Sequence, residues 1–134
     1  MKILSISVDK DAIKQLDAAQ KRLGIKSRSK LLRNAILNML KEYDTLDSLS
    51  GNVESIFLLT YKESEKNHVS DMLHRFEDYI KTDLHQHRHG TCIDVLNVEA
   101  SANTTRALFA ALKKSKCIYS VTYSIIKETK SGKK

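Results

Sequence analysis

Residues 85–92 read His-Gln-His-Arg-His-Gly-Thr-Cys, and hold three of the chain's five histidines and one of its two cysteines. Imidazole and thiolate suit nickel, copper, zinc or cobalt; they do not suit calcium or magnesium. His85 and His87 stand two apart, so on a strand they share one face, with Cα atoms roughly 6.6 Å apart. If His89-Gly90-Thr91 is a tight turn, Cys92 opens the strand that pairs back, and three ligands converge on one sheet face. His74, eleven residues before His85, lies off the apolar stripe of its helical segment and is a fourth candidate. His89 is either an exposed turn residue or an accessory ligand. Cys92 could instead be a nucleophile with a histidine as its base. Two or three imidazoles facing one thiol look like a chelate, however, and no Gly-rich loop is at hand to stabilise an oxyanion. The expectation is a protein that is not an enzyme.

The elements that must position these residues fit within 134 residues, enough for one domain or two small ones. At 41% hydrophobic and 29% charged, the composition is that of a globular protein. No apolar run approaches the roughly 18 residues that cross a membrane, and no signal-peptide pattern opens the chain. Two cysteines make no disulfide framework, so a reducing, cytoplasmic setting is expected. The formal net charge is +7, and it is unevenly placed. Residues 1–44 hold ten Lys/Arg against five Asp/Glu; residues 45–134 hold thirteen against eleven. A basic first third joined to a near-neutral remainder suits a nucleic-acid reader attached to a regulatory or assembly module.

In the first 44 residues, Leu4, Ile6 and Val8 alternate with Ile3, Ser5 and Ser7, which predicts a short strand. Asp9 or Asp11 can cap a helix with Ile13, Leu16, Ala19 and Leu23 on one stripe, ended by Gly24. Ser27 or Ser29 can start a second helix, with Leu32, Ala35, Ile36, Met39, Leu40 and Tyr43 at helical spacing. One strand and two amphipathic helices bury too little to fold alone. Two copies can pair their strands into a ribbon, the ribbon-helix-helix arrangement, and place it in a DNA major groove. The outward ribbon residues are then Ile3, Ser5 and Ser7, while Arg28 and Ser29 sit where the second helix offers N–H groups to a phosphate.

After a polar stretch, 45–52, that reads as a linker, strands are expected at 53–61, "DLHQH", "CIDVLNVEA" and "CIYSVTYSII". Helices are expected at 64–80 and over "NTTRALFAALKKSK", the latter capped by Asn103 or Thr104. His68 falls on the first of these helices as a surface residue, and Cys117 is expected to be buried in the last strand. The order βαββαβ over 53–126 is the ferredoxin-like split unit, and the class is α+β. Residues 127–134 read as a basic, disordered tail.

A ribbon-helix-helix segment, a βαββαβ segment, and His, then His-x-His, then Cys together resemble the nickel-responsive ribbon-helix-helix regulator family over about residues 1–126. The resemblance implies an ACT-like second domain that assembles a homo-tetramer, a dimer of dimers, on an operator in double-stranded DNA. It implies a square-planar nickel ion at a subunit interface, held by His85, His87 and Cys92 of one subunit and His74 of its neighbour. It further implies a helix around His74 that orders on metal binding, and a repressor as the biological role. The chain departs from the family's pattern in three ways. Ile3 stands where the family usually has Arg, the His87–Cys92 segment is one residue shorter, and His68 and His89 are additional. The same architecture responding to zinc, copper or cobalt is one alternative. An antitoxin-like ribbon-helix-helix protein with a protein-binding C-terminal part is the other.

Overall fold

The computed structural model describes residues 2–130, and the chain divides between Asp44 and Thr45 into two units. In the first unit, Asp9 caps helix α1 (Lys10–Leu23) by accepting the Ala12 N–H at 2.7 Å. Gly24 closes it at φ 66°, where its N–H reaches back to the Gln20 and Lys21 carbonyls. Ser27 caps helix α2 (Arg28–Asp47), accepting the Lys30 N–H at 3.2 Å, so Ser29 lies inside the first turn. Residues 2–9 form no strand in the single chain. A strand needs another backbone to satisfy its N–H and C=O groups, and the first unit contains only one such segment. Ile3 and Leu4 are accordingly 95% and 80% exposed, and no described residue up to 44 is buried. Ile36, Leu37, Met39 and Leu40 of α2 also face solvent.

The second unit runs β1 (Asn52–Lys62), a 3-10 turn (Glu63–Glu65), α3 (Lys66–His74), β2 (Ile80–Arg88), β3 (Thr91–Ser101), α4 (Ala102–Lys114) and β4 (Ile118–Thr129). All neighbouring strands are antiparallel, in the order β2-β3-β1-β4, which is the ferredoxin-like split arrangement. Alternate residues of β1 (Val53, Ser55, Phe57, Leu59 and Tyr61) are buried on one face. They join Leu96 and Val98 of β3, Val69 and Leu73 of α3, and Leu108, Phe109 and Leu112 of α4 in one core. Phe109 meets the ring of Tyr123 edge-on at 5.2 Å. Full burial of each of the valine, leucine and phenylalanine side chains contributes about 1.5–3 kcal/mol.

Four local readings change. The helix expected over 64–80 stops at His74, the chain turns through 75–79, and Ile80 begins β2. Phe76 and Ile80 match a helical stripe, yet they reach the same core from the turn and the strand. The stretch 45–52 is docked: α2 continues to Asp47, and Leu46 and Leu49 are buried. Arg106 Nη1 holds that segment by donating to the Leu46 and Leu49 carbonyls at 2.9 and 3.0 Å. Ser101, and neither Asn103 nor Thr104, caps α4, accepting the Thr104 N–H at 3.1 Å. Residues 127–129 of the expected tail belong to β4, where Thr129 pairs with Asn52; residues 131–134 lie outside the described ones.

Candidate metal centre

The connection between β2 and β3 is the two-residue turn His89-Gly90, at φ 52° and 77°. Two left-handed residues in succession make a type I′ hairpin, whose twist matches the flanking strands. Thr91 is already strand, so the turn is tighter than the expected three residues. Its length sets the register: His87 pairs with Cys92 and His85 with Asp94. On the other side of β3, Cys92 pairs with Tyr61 of β1. Directly opposed residues share a face, so His85, His87, Cys92, Asp94 and Tyr61 all lie on the core side of the sheet.

β2 is an edge strand and its residues after Ile80 remain exposed, while alternate residues of β3 are buried beside it. Imidazoles at the rim thus border a buried thiol and a buried carboxylate. Asp94 is only 2% exposed. A carboxylate so placed needs partners. It has them: His85 Nδ1 is hydrogen-bonded to Oδ1, and the Tyr61 hydroxyl donates to Oδ2 at 2.8 Å. The Tyr61 hydroxyl is held protonated well above its ordinary range, by burial first and by Asp94 second. Burial, with Asp94 adding, also raises the Asp83 carboxyl. Burial pushes the Cys92 thiol up too, and Glu63 and Asp94 add to it. A carboxylate on one ring nitrogen is the usual support for a metal-ligating histidine, because it fixes the ring and leaves the other nitrogen to the metal. In His85 that other nitrogen is Nε2. His87 is paired through Nε2 with Glu63 at 2.8 Å, which leaves Nδ1.

His74 is the last residue of α3, its side chain 75% exposed, and its Nδ1 is 2.9 Å from Glu77. Among the described residues, His74, His85, His87 and Cys92 do not bring three ligand atoms within 4.8 Å of one another. Each of the three imidazoles is held by its own carboxylate. His89 occupies the turn and is exposed. Cys117, expected inside a buried strand, stands half-buried in the turn before β4, close to Glu65 and His68. Of the residues expected at DNA, Ile3, Ser5 and Ser7 are exposed in the segment 2–9. Ser29 lies in the first turn of α2, and Arg28 pairs with Asp17 at 2.5 Å. Both partners of that pair are about half exposed, so it contributes little and a phosphate can compete for the guanidinium. Asp94, Tyr61 and Glu63 were not singled out from the sequence. The visible signal was Asp94 itself, a charge on the inward-facing row of an otherwise apolar strand.

The description "Ribbon-helix-helix protein, copG family" matches residues 2–43. A protein of Chlorobaculum parvum named "Putative nickel-responsive regulator" is 33% identical over 112 residues, covering 81% of this chain and 82% of its own. The chain belongs to the nickel-responsive ribbon-helix-helix regulator family. A second member, from Chlorobaculum tepidum, is 31% identical over the same shares of both chains. A third, from Syntrophus aciditrophicus, is 28% identical over 123 residues, covering 90% of this chain. An uncharacterized protein of Thermotoga maritima shares the fold of 57% of this chain over its whole length, at TM-score 0.53 and 20% identity. The regulator is therefore a DNA-binding protein and not an enzyme. Among its described residues no helix is long and apolar enough to cross a membrane.

Proposed function

We propose that this regulator is a cytoplasmic repressor that answers to nickel, bound by His85, His87 and Cys92 of one subunit and His74 of the partner subunit. The observation that carries the reading is the hairpin register. It sets two imidazoles beside one thiol on one face, with Asp94 behind His85. Two borderline nitrogens and a sulfur fit nickel and exclude hard ions. Nickel, when bound, supplies the bond that joins subunits, and Asp94 and Tyr61 orient the His85 ring. The exposure of His74 at the end of α3, outside the cluster, supports its serving a partner subunit. Homo-tetramer formation agrees with an uncovered first unit and with Leu58, Leu84, Tyr119 and Ile126 of the sheet left exposed.

The test is operator footprinting with the full chain and with nickel, zinc, cobalt or copper added singly. Protection that requires nickel and is reversed by a chelator is expected. Protection indifferent to nickel overturns the reading. In the same assay, Ser5→Ala/Ser7→Ala should lower the ratio of specific to nonspecific affinity. Arg28→Ala should weaken all sequences alike and flatten the salt dependence.

Metal affinity should depend on pH with a definite sign. The Cys92 thiol is raised above its ordinary range, so it is protonated at neutral pH and must lose that proton to bind. Affinity should therefore rise by about tenfold per pH unit until the thiol titrates, and fall as the solution is acidified. Nickel titrations across neutral to alkaline pH check this, and a flat profile would remove Cys92 from the ligand set.

A further inference from the structure

A second group of ligand atoms lies elsewhere in the second unit and shares no residue with the nickel centre proposed above. Glu65 ends the 3-10 turn, and His68 follows one helical turn later in α3, so both face the same way. Their side chains already meet, His68 Nδ1 to Glu65 Oε2 at 2.8 Å. Cys117 comes from the far end of the unit. The pairing of Tyr61 with Ile118 joins the end of β1 to the start of β4, and so carries Cys117 to the start of α3. The carboxylate oxygen, the imidazole nitrogen and the sulfur all lie within 4.8 Å of one another.

We propose that Glu65, His68 and Cys117 form a second metal site, for a zinc-class divalent ion, that clamps the start of α3 to the start of β4. Tetrahedral zinc, with bonds of about 2.0–2.3 Å, holds its ligands about 3.3–3.8 Å apart. The His68 and Glu65 atoms already stand at 2.8 Å and all three donors lie within 4.8 Å of one another, so small side-chain shifts reach that spacing, and His68 is largely exposed and able to move. One oxygen, one nitrogen and one sulfur suit zinc, cobalt or nickel, while magnesium and calcium would reject the sulfur. A fourth position is left to water. The Cys117 thiol donates to Glu65, and that bond, with burial, keeps the thiol protonated above its ordinary range. Binding breaks the S–H bond, releases its proton to solvent, and forms the metal–sulfur bond. No oxidation is involved.

The test uses the fact that the chain has two cysteines. In Cys92→Ala, Cys117 is the single thiol. Cobalt added to that full-length variant should give a near-ultraviolet thiolate-to-cobalt charge-transfer band. The band should vanish in Cys92→Ala/Cys117→Ser and weaken in Cys92→Ala/His68→Ala. A folded Cys92→Ala protein without the band overturns the proposal. Should Cys92→Ala fail to fold, zinc counted by chelator competition decides. Cys117→Ser alone, with Cys92 retained, should bind one ion fewer per chain, and an unchanged count overturns the site. A cobalt band retained when Cys92 is absent cannot come from the nickel centre, so the two sites stand or fall separately.

Discussion

Replacing both His85 and Cys92 with alanine should weaken nickel binding by about four orders of magnitude. A four-ligand site worth about 10–16 kcal/mol assigns about 3 kcal/mol to each ligand, so two cost about 6 kcal/mol. The fold should survive. His85 lies at the rim of an edge strand, and Cys92→Ala removes one buried atom, a loss on the order of 1 kcal/mol. Competition against a chelator of known affinity measures the loss, and circular dichroism reports the fold. Asp94→Asn provides a graded control. It removes the charge that orients His85 and should cost about 10–100-fold in affinity. If the double variant still binds one nickel tightly while folded, the ligands are elsewhere.

The second large effect belongs to the first unit. Ile6→Asp should abolish operator binding and dissolve the assembly through the N-terminal segments. Leu4, Ile6 and Val8 are exposed in the single chain, and α1 contains no buried residue. In a paired ribbon those three side chains turn inward. A carboxylate placed there is a buried charge without a partner, costing about 3–5 kcal/mol in each of two subunits. That approaches the whole stability of a small domain, about 5–15 kcal/mol. Size-exclusion chromatography with light scattering should show a smaller assembly, and anisotropy on labelled operator should show no specific complex. Ser5→Ala, on the alternate positions, should leave the assembly intact. An Ile6→Asp protein that still assembles through its first unit and footprints normally would show that these residues are not the buried face of a ribbon.

Local signals carried much of this molecule. Asp9 and Gly24 bracket α1 as their chemistry dictates, because a cap and a left-handed glycine act on neighbours within one turn. A tight turn at His89-Gly90 was legible for the same reason, but its two-residue length, and with it the register that pairs His87 with Cys92, was decided by the structure. The end of the third helix was not. Phe76 and Ile80 satisfy helical periodicity, and only the need for β2 to lie beside β3 stops the helix at His74.

The amino-acid sequence by itself determined the donor types, their hairpin spacing, the basic first third and an alternating segment before α1 that has no strand partner within its own unit. All of these depend on residues within a few positions of one another, or on simple counts. The tertiary structure alone decided what stands around the donors. Tyr61 and Asp94 are 33 residues apart, and meet because β1 and β3 pair antiparallel in one particular register. Glu65 and Cys117 meet because β4 returns along β1. Leu46 and Leu49, polar-flanked and read as linker, pack into the core of the second unit, and Arg106 of α4 binds their carbonyls. Such partners are chosen by strand order and register, which no local pattern encodes; among them Asp94 holds His85 and, after burial and Glu63, helps to raise the Cys92 thiol.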